Sequence, residues 1–71
     1  MNKDKFDFGE ALAYIKAGFV VSLTLNGNER RYYLNQFNEI VCVPNGKEHL
    51  LYVVKQFYID SIMSNDWILL S

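Results

Sequence analysis

The 71-residue sequence has one cysteine (Cys42), one proline (Pro44), one histidine (His49) and four scattered glycines. Each shortage removes a class of protein. A single cysteine excludes an internal disulfide. Cys42 and His49 are the only soft ligands, where a structural zinc site wants four. Gly9, Gly18, Gly27 and Gly46 fall at turns and helix ends and build no phosphate-cradling loop; a nucleophile elbow and a paired-histidine metal motif are also missing. No run approaches the ~20 apolar residues of a membrane span. Met1–Lys5 leads into a helix cap and not a signal-peptide core, so no leader and no membrane are expected. The net charge of -1 lacks the basic surplus that direct DNA binding requires, and is not acidic enough for a DNA mimic. What remains is a non-enzymatic chain without metal or cofactor, expected in the cytoplasm, where a lone thiol stays reduced.

What the chain does have is apolar surface: 51% hydrophobic and 15% aromatic residues. Residues 1–71 make a single small domain. A domain of about 60 residues buries only about 60% of its unfolded surface. Small chains offset this with disulfides, a metal or a partner subunit. With the first two excluded, a homo-oligomer that hides an apolar face is expected.

Asp7 is a good N-cap, with Glu10 three residues on as in a capping box, and Phe6 precedes it in the staple position. Phe8, Ala11, Leu12 and Ile15 recur at helical spacing, and Gly18 follows as a natural left-handed stop. The pattern predicts a helix over Phe8 to Ala17, packed through Phe8, Leu12 and Ile15. Truncating Leu12 to Ala is then expected to cost about 2–5 kcal/mol.

From Phe19 the pattern turns to strands. Phe19–Leu25 is β-branched and partly alternating, Asn26-Gly27 is the strongest short hairpin signal, and Glu29–Leu34 returns. Arg30, Tyr32 and Leu34 share one face of that strand; Arg31 and Tyr33 share the other. A turn over Asn35–Asn38, a strand over Ile40–Val43 and a turn over Pro44–Lys47 follow. His49–Ile59 fits a helical stripe at Leu50, Val53, Val54 and Phe57, but its composition favours a strand. Asp60 is expected to cap one helical turn, and Trp67–Leu70 to form a last strand. The order predicts an α+β fold: an N-terminal helix on an antiparallel sheet of four to five strands.

No residue set looks catalytic. His49 and Glu48 would point to opposite faces of a strand. Asp60 and Asp66 read better as a cap and a turn residue than as a carboxylate pair. Cys42, between two valines, reads as a small core side chain, and Trp67 as an anchor in the core or a subunit contact. The richest constellation is Arg30-Arg31 with Tyr32-Tyr33 beside the Asn26-Gly27-Asn28 turn. Arginine forks grip phosphate and a tyrosine ring stacks on a base. The same set also suits a solvated hairpin edge with arginine paired to Glu29 or Glu39, or a protein interface. Asn26, Asn28, Arg30, Arg31 and Tyr33 are the candidate ligand contacts.

Phe8-Gly9-Glu10-Ala11-Leu12, followed by Ile15-Lys16, Gly18 and Val21, resembles the opening of the Thoeris anti-defence 2 family of small phage proteins. Asn26-Gly27 is similar to that family's tryptophan-asparagine-glycine turn. Ile62-Met63-Ser64-Asn65-Asp66-Trp67 is similar to its closing motif. The resemblance covers about half of the chain. It implies a phage-encoded counter-defence protein that forms oligomers and sequesters a cyclic nucleotide immune signal without turning it over. Leu25 stands where the family has tryptophan, and Ser22-Leu23-Thr24 stand where it has basic residues. These departures remove donors and a stacking ring. The competing reading is an anti-CRISPR-type inhibitor that binds and blocks a Cas nuclease. A nucleotide binder predicts an aromatic-walled pocket holding Arg30 or Arg31; an inhibitor of a bacterial defence protein predicts an exposed apolar–aromatic patch.

Overall fold

The computed structural model describes residues 5–71. Met1–Asp4, within the segment read as unlike a signal peptide, lie outside them. The elements run β1 (Lys5–Phe6), α1 (Phe8–Lys16), β2 (Val21–Leu25), β3 (Asn28–Leu34), β4 (Ile40–Pro44), a 3-10 turn (Glu48–Leu50), β5 (Tyr52–Val53), α2 (Ile59–Ile62) and β6 (Trp67–Leu69). All strand pairs are antiparallel, in the order β1-β6-β2-β3-β4-β5. The fold is therefore α+β with α1 on one face of a six-stranded sheet, one strand more than the upper expectation. The additional edge comes from Lys5–Phe6, which pairs with Ile68 and Trp67. Phe6 thus enters the sheet and lays its ring 5.0 Å from that of Tyr14.

Local signals account for α1. The Asp7 carboxylate accepts the Glu10 amide at 2.9 Å, satisfying one of the donors that a helix start leaves free. Ala17 closes the last turn, and Gly18 leaves at φ +97°, a left-handed conformation that a side chain resists. Ala11 and Ile15 are fully buried, and Phe8 packs beside them. Leu12 is only half-buried and stands outside the core cluster. The helix thus presses Phe8, Ala11 and Ile15 of the expected stripe onto the sheet, and only Leu12, at its margin, falls outside the core.

The central hairpin follows the sequence closely. Asn26 (φ 52°) and Gly27 (φ 77°) form a two-residue connection between Leu25 and Asn28, the geometry that matches strand twist. Pairing Val21 with Tyr32, and Tyr32 with Cys42, puts Val21, Leu23, Tyr32 and Cys42 together beneath α1. The opposite face carries Ser22, Glu29, Arg31, Tyr33, Val41 and Val43. Ser22 is fully buried there and its hydroxyl donates to the Glu29 carboxylate at 2.8 Å.

Residues 48–62 depart from expectation. In place of a strand over His49–Ile59 there is a 3-10 turn, two strand residues and an irregular run to α2. Burial explains the break. Val54 and Phe57 both turn onto the core cluster, and a continuous strand would send residues three apart to opposite faces. His49 sits exposed in the 3-10 turn. Asp60 lies inside the first turn of α2 and does not cap it; Tyr58 holds the cap position without a side-chain hydrogen bond.

Trp67 centres the core, fully buried, with its ring 5.1 Å from Tyr32, 5.9 Å from Phe8 and 6.3 Å from Phe57. Its indole N–H donates to the Ser61 carbonyl at 3.1 Å, fastening α2 over the sheet. A buried indole that lacked this partner would carry a desolvation penalty of about 1–3 kcal/mol.

Candidate ligand-binding site

A hollow of about 300 Å³ opens between the end of β5 and the start of α2. Tyr32, Tyr52, Phe57 and Tyr58 supply aromatic walls, with Lys55, Gln56 and Ser61 as polar members and no carboxylate in the lining. Three features of the chain build it. Tyr32, Cys42 and Tyr52 stand in one cross-strand row over β3, β4 and β5, so their side chains share the helix face. The irregular run after Val53 returns Phe57 onto Tyr32, with ring centroids 5.4 Å apart. Ser61, buried in α2 and tied to Trp67 through its carbonyl, closes the floor.

The electrostatics of the row are distinctive. Burial first, and the neighbouring Cys42 thiol next, raise Tyr32 well above the ordinary phenol range. Tyr52 is pushed up to about 12, by Cys42 first and then by burial. Arg30 pulls in the opposite direction on both tyrosines, so its charge is felt inside the hollow. Both phenols remain protonated donors throughout the physiological range. A planar, anionic molecule meets here what it requires: rings to stack on, hydroxyl donors and positive potential.

The five residues expected to contact ligand are split by the sheet. Asn28 and Arg30 lie on the helix face and border a smaller hollow at the hairpin end. Asn26 sits in the turn itself. Arg31 and Tyr33 are on the far face, where the Arg31 guanidinium lies 3.9 Å from the Glu29 carboxylate. No single small ligand touches Arg30 and Arg31 together, because consecutive strand residues point apart. Tyr52, Phe57 and Tyr58 were absent from the expected set. Their aromatic density was visible in the sequence, but a regular strand over His49–Ile59 would have scattered them over both faces.

Around the hollow the surface is unusually apolar. Tyr58, Ile59 and Met63 are 76%, 67% and 71% exposed, and Leu50, Leu51 and Tyr52 are exposed along the same segment. Among the described residues no group of three or more His, Cys, Asp or Glu is placed to hold a metal. No helix among them is long and apolar enough to cross a membrane. No protein-family model matches the chain, and neither a curated protein nor a solved structure matches it.

Proposed function

We propose that the protein is a non-enzymatic binder that sequesters a cyclic nucleotide signal, as a phage-encoded counter-defence protein acting in the host cytoplasm. The observation that carries this reading is the aromatic hollow between β5 and α2, with Lys55 in its lining and the charge of Arg30 in reach. Base–aromatic stacking contributes about 1–3 kcal/mol per base, and Tyr52 and Tyr58, the exposed rings of the lining, offer the platforms. The likeness of both chain ends to the Thoeris anti-defence 2 family supports the same assignment. The contacts move from the expected hairpin set to Tyr52, Phe57, Tyr58 and Lys55, with Arg30 retained.

Calorimetric titration with cyclic di- and trinucleotides and cyclic ADP-ribose isomers tests the proposal. One ligand of the panel should bind, and Tyr58→Ala should weaken it by about 1–3 kcal/mol. Absence of binding by every member at high micromolar concentration would remove the nucleotide reading.

A second reading rests on a separate observation, the exposed Leu51, Tyr58, Ile59 and Met63. Apolar and aromatic residues grouped this way suit a protein contact, either with another copy of the chain or with a defence nuclease that the protein blocks. Light scattering at low concentration separates the two: assembly favours the homo-oligomer, and a clean monomer favours the inhibitor.

A further inference from the structure

At the far end of the same face, two turns meet. The Asn45 amide donates to the Glu29 carbonyl at 2.9 Å, binding the exit of β4 to the start of β3, and the Lys47 amide donates to the Pro44 carbonyl at 3.0 Å. Between the turns lies a hollow of about 160 Å³, bordered by Gly27, Asn28, Arg30, Pro44, Asn45 and Lys47. Its chemistry is the reverse of the aromatic hollow: two cations and two side-chain amides, with no aromatic ring. Glu29 also borders it, but the carboxylate is engaged on the opposite face by Ser22 and Arg31.

Among the described residues the two cations have no ion-pair partner. The ion pairs among the described residues are Lys5–Asp66 and Arg31–Glu29, and neither uses Arg30 or Lys47. The side-chain hydrogen bonds among the described residues also leave out Asn28, Arg30, Asn45 and Lys47. A guanidinium, ammonium and amide set bordering one hollow, with no partner among the described residues, matches the acceptor oxygens of a phosphate. Arg30 stands two residues from Tyr32 on the same face of β3, about 7 Å along the strand. One ligand can therefore reach both hollows.

We infer that the hairpin-end hollow is an oxyanion subsite that receives the phosphate groups of the molecule whose ring occupies the aromatic hollow. As a subsite of one ligand it rests on the function proposed above; as an oxyanion site it is tested alone. The two hollows divide the work of recognition, ring against tyrosine and charge against Arg30 and Lys47.

Nuclear magnetic resonance titration of the full chain at fixed ionic strength, with inorganic pyrophosphate and adenosine as separate probes, decides the matter. Pyrophosphate should saturably shift the signals of Asn28, Arg30, Asn45 and Lys47, and adenosine those of Tyr52, Phe57 and Tyr58. Lys47→Glu, at an exposed turn position where folding is retained, should weaken pyrophosphate binding by about tenfold or more and leave adenosine unchanged. Shifts spread evenly over Lys5, Lys16, Lys47 and Lys55, or undiminished by Lys47→Glu, would overturn the subsite. Saturable pyrophosphate binding at the hairpin end with no adenosine response at the tyrosines would uphold the oxyanion site and sink the nucleotide assignment.

Discussion

Residues 21–44 and residues 45–64 are comparably rich in apolar side chains, yet they meet the solvent in opposite ways. The first stretch forms three long strands whose alternation buries Val21, Leu23, Tyr32 and Cys42 under the helix. The second contributes two strand residues and two short turns, and leaves Leu50, Leu51, Tyr58, Ile59 and Met63 outside. One region is held by its ladder; the other is held at a few points, by Val54, Phe57 and the Ser61–Trp67 hydrogen bond. The comparison teaches that apolar content alone does not locate a core. Register does so in the first stretch, and in the second the demand for contact with Trp67 overrides local preference.

Three measurements break or sharpen this contrast. The largest effect belongs to Trp67. Trp67→Ala should cost about 3–5 kcal/mol in urea unfolding, while Met63→Ala, equally apolar but exposed, should stay within about 0.5 kcal/mol. Comparable losses from both would mean that the second region hides its apolar residues as the first does. Next comes the helix. Ile15→Ala should cost about 2–5 kcal/mol and Leu12→Ala clearly less, below the about 2–5 kcal/mol expected for Leu12 from the sequence pattern. A larger loss at Leu12 would show that Leu12 and not Ile15 carries the packing of the helix face.

The smallest effect concerns the row that joins the regions. Tyr32 and Tyr52 have folded-state values above the ordinary phenol value of about 10, so above that pH the unfolded chain releases protons that the folded chain retains. Their contribution is present below pH 10 and declines as the pH climbs through about 12 for Tyr52. The thermal midpoint should fall as the pH rises from 10 towards 12, and fall less steeply in Tyr32→Phe, which has no ionisable hydroxyl at that position. Equal slopes in the two proteins would show that this hydroxyl does not sense the core.

Much of the fold could be read from local chemistry. The Asp7 cap, the Gly18 exit and the Asn26-Gly27 turn each depend on residues adjacent in the chain, and all appear where expected. What escaped depended on distant partners. Lys5–Phe6 becomes a strand only because Trp67–Ile68 offers an edge, and Phe57 leaves the strand pattern because the Trp67 and Tyr32 rings draw it inward. The candidate site escaped for the same reason. Arg30, Asn28 and the turn residues were visible, but the aromatic walls are gathered from β3, β5 and the irregular run, and no spacing within one segment encodes their meeting.

The placement of β6 between β1 and β2 has a consequence for biosynthesis. A ribosome that has delivered sixty residues has released a capped helix and a three-strand meander, but not the indole they close around. Until Trp67 leaves the exit tunnel, Lys5–Phe6 has no neighbour to pair with and the underside of the helix is wet. Completion is therefore a late zippering event, joining residues more than sixty positions apart in the polymer, and such long-range closure is the slow kind. A released chain truncated just before that tryptophan should be readily cut by protease, and the full 71 residues should resist.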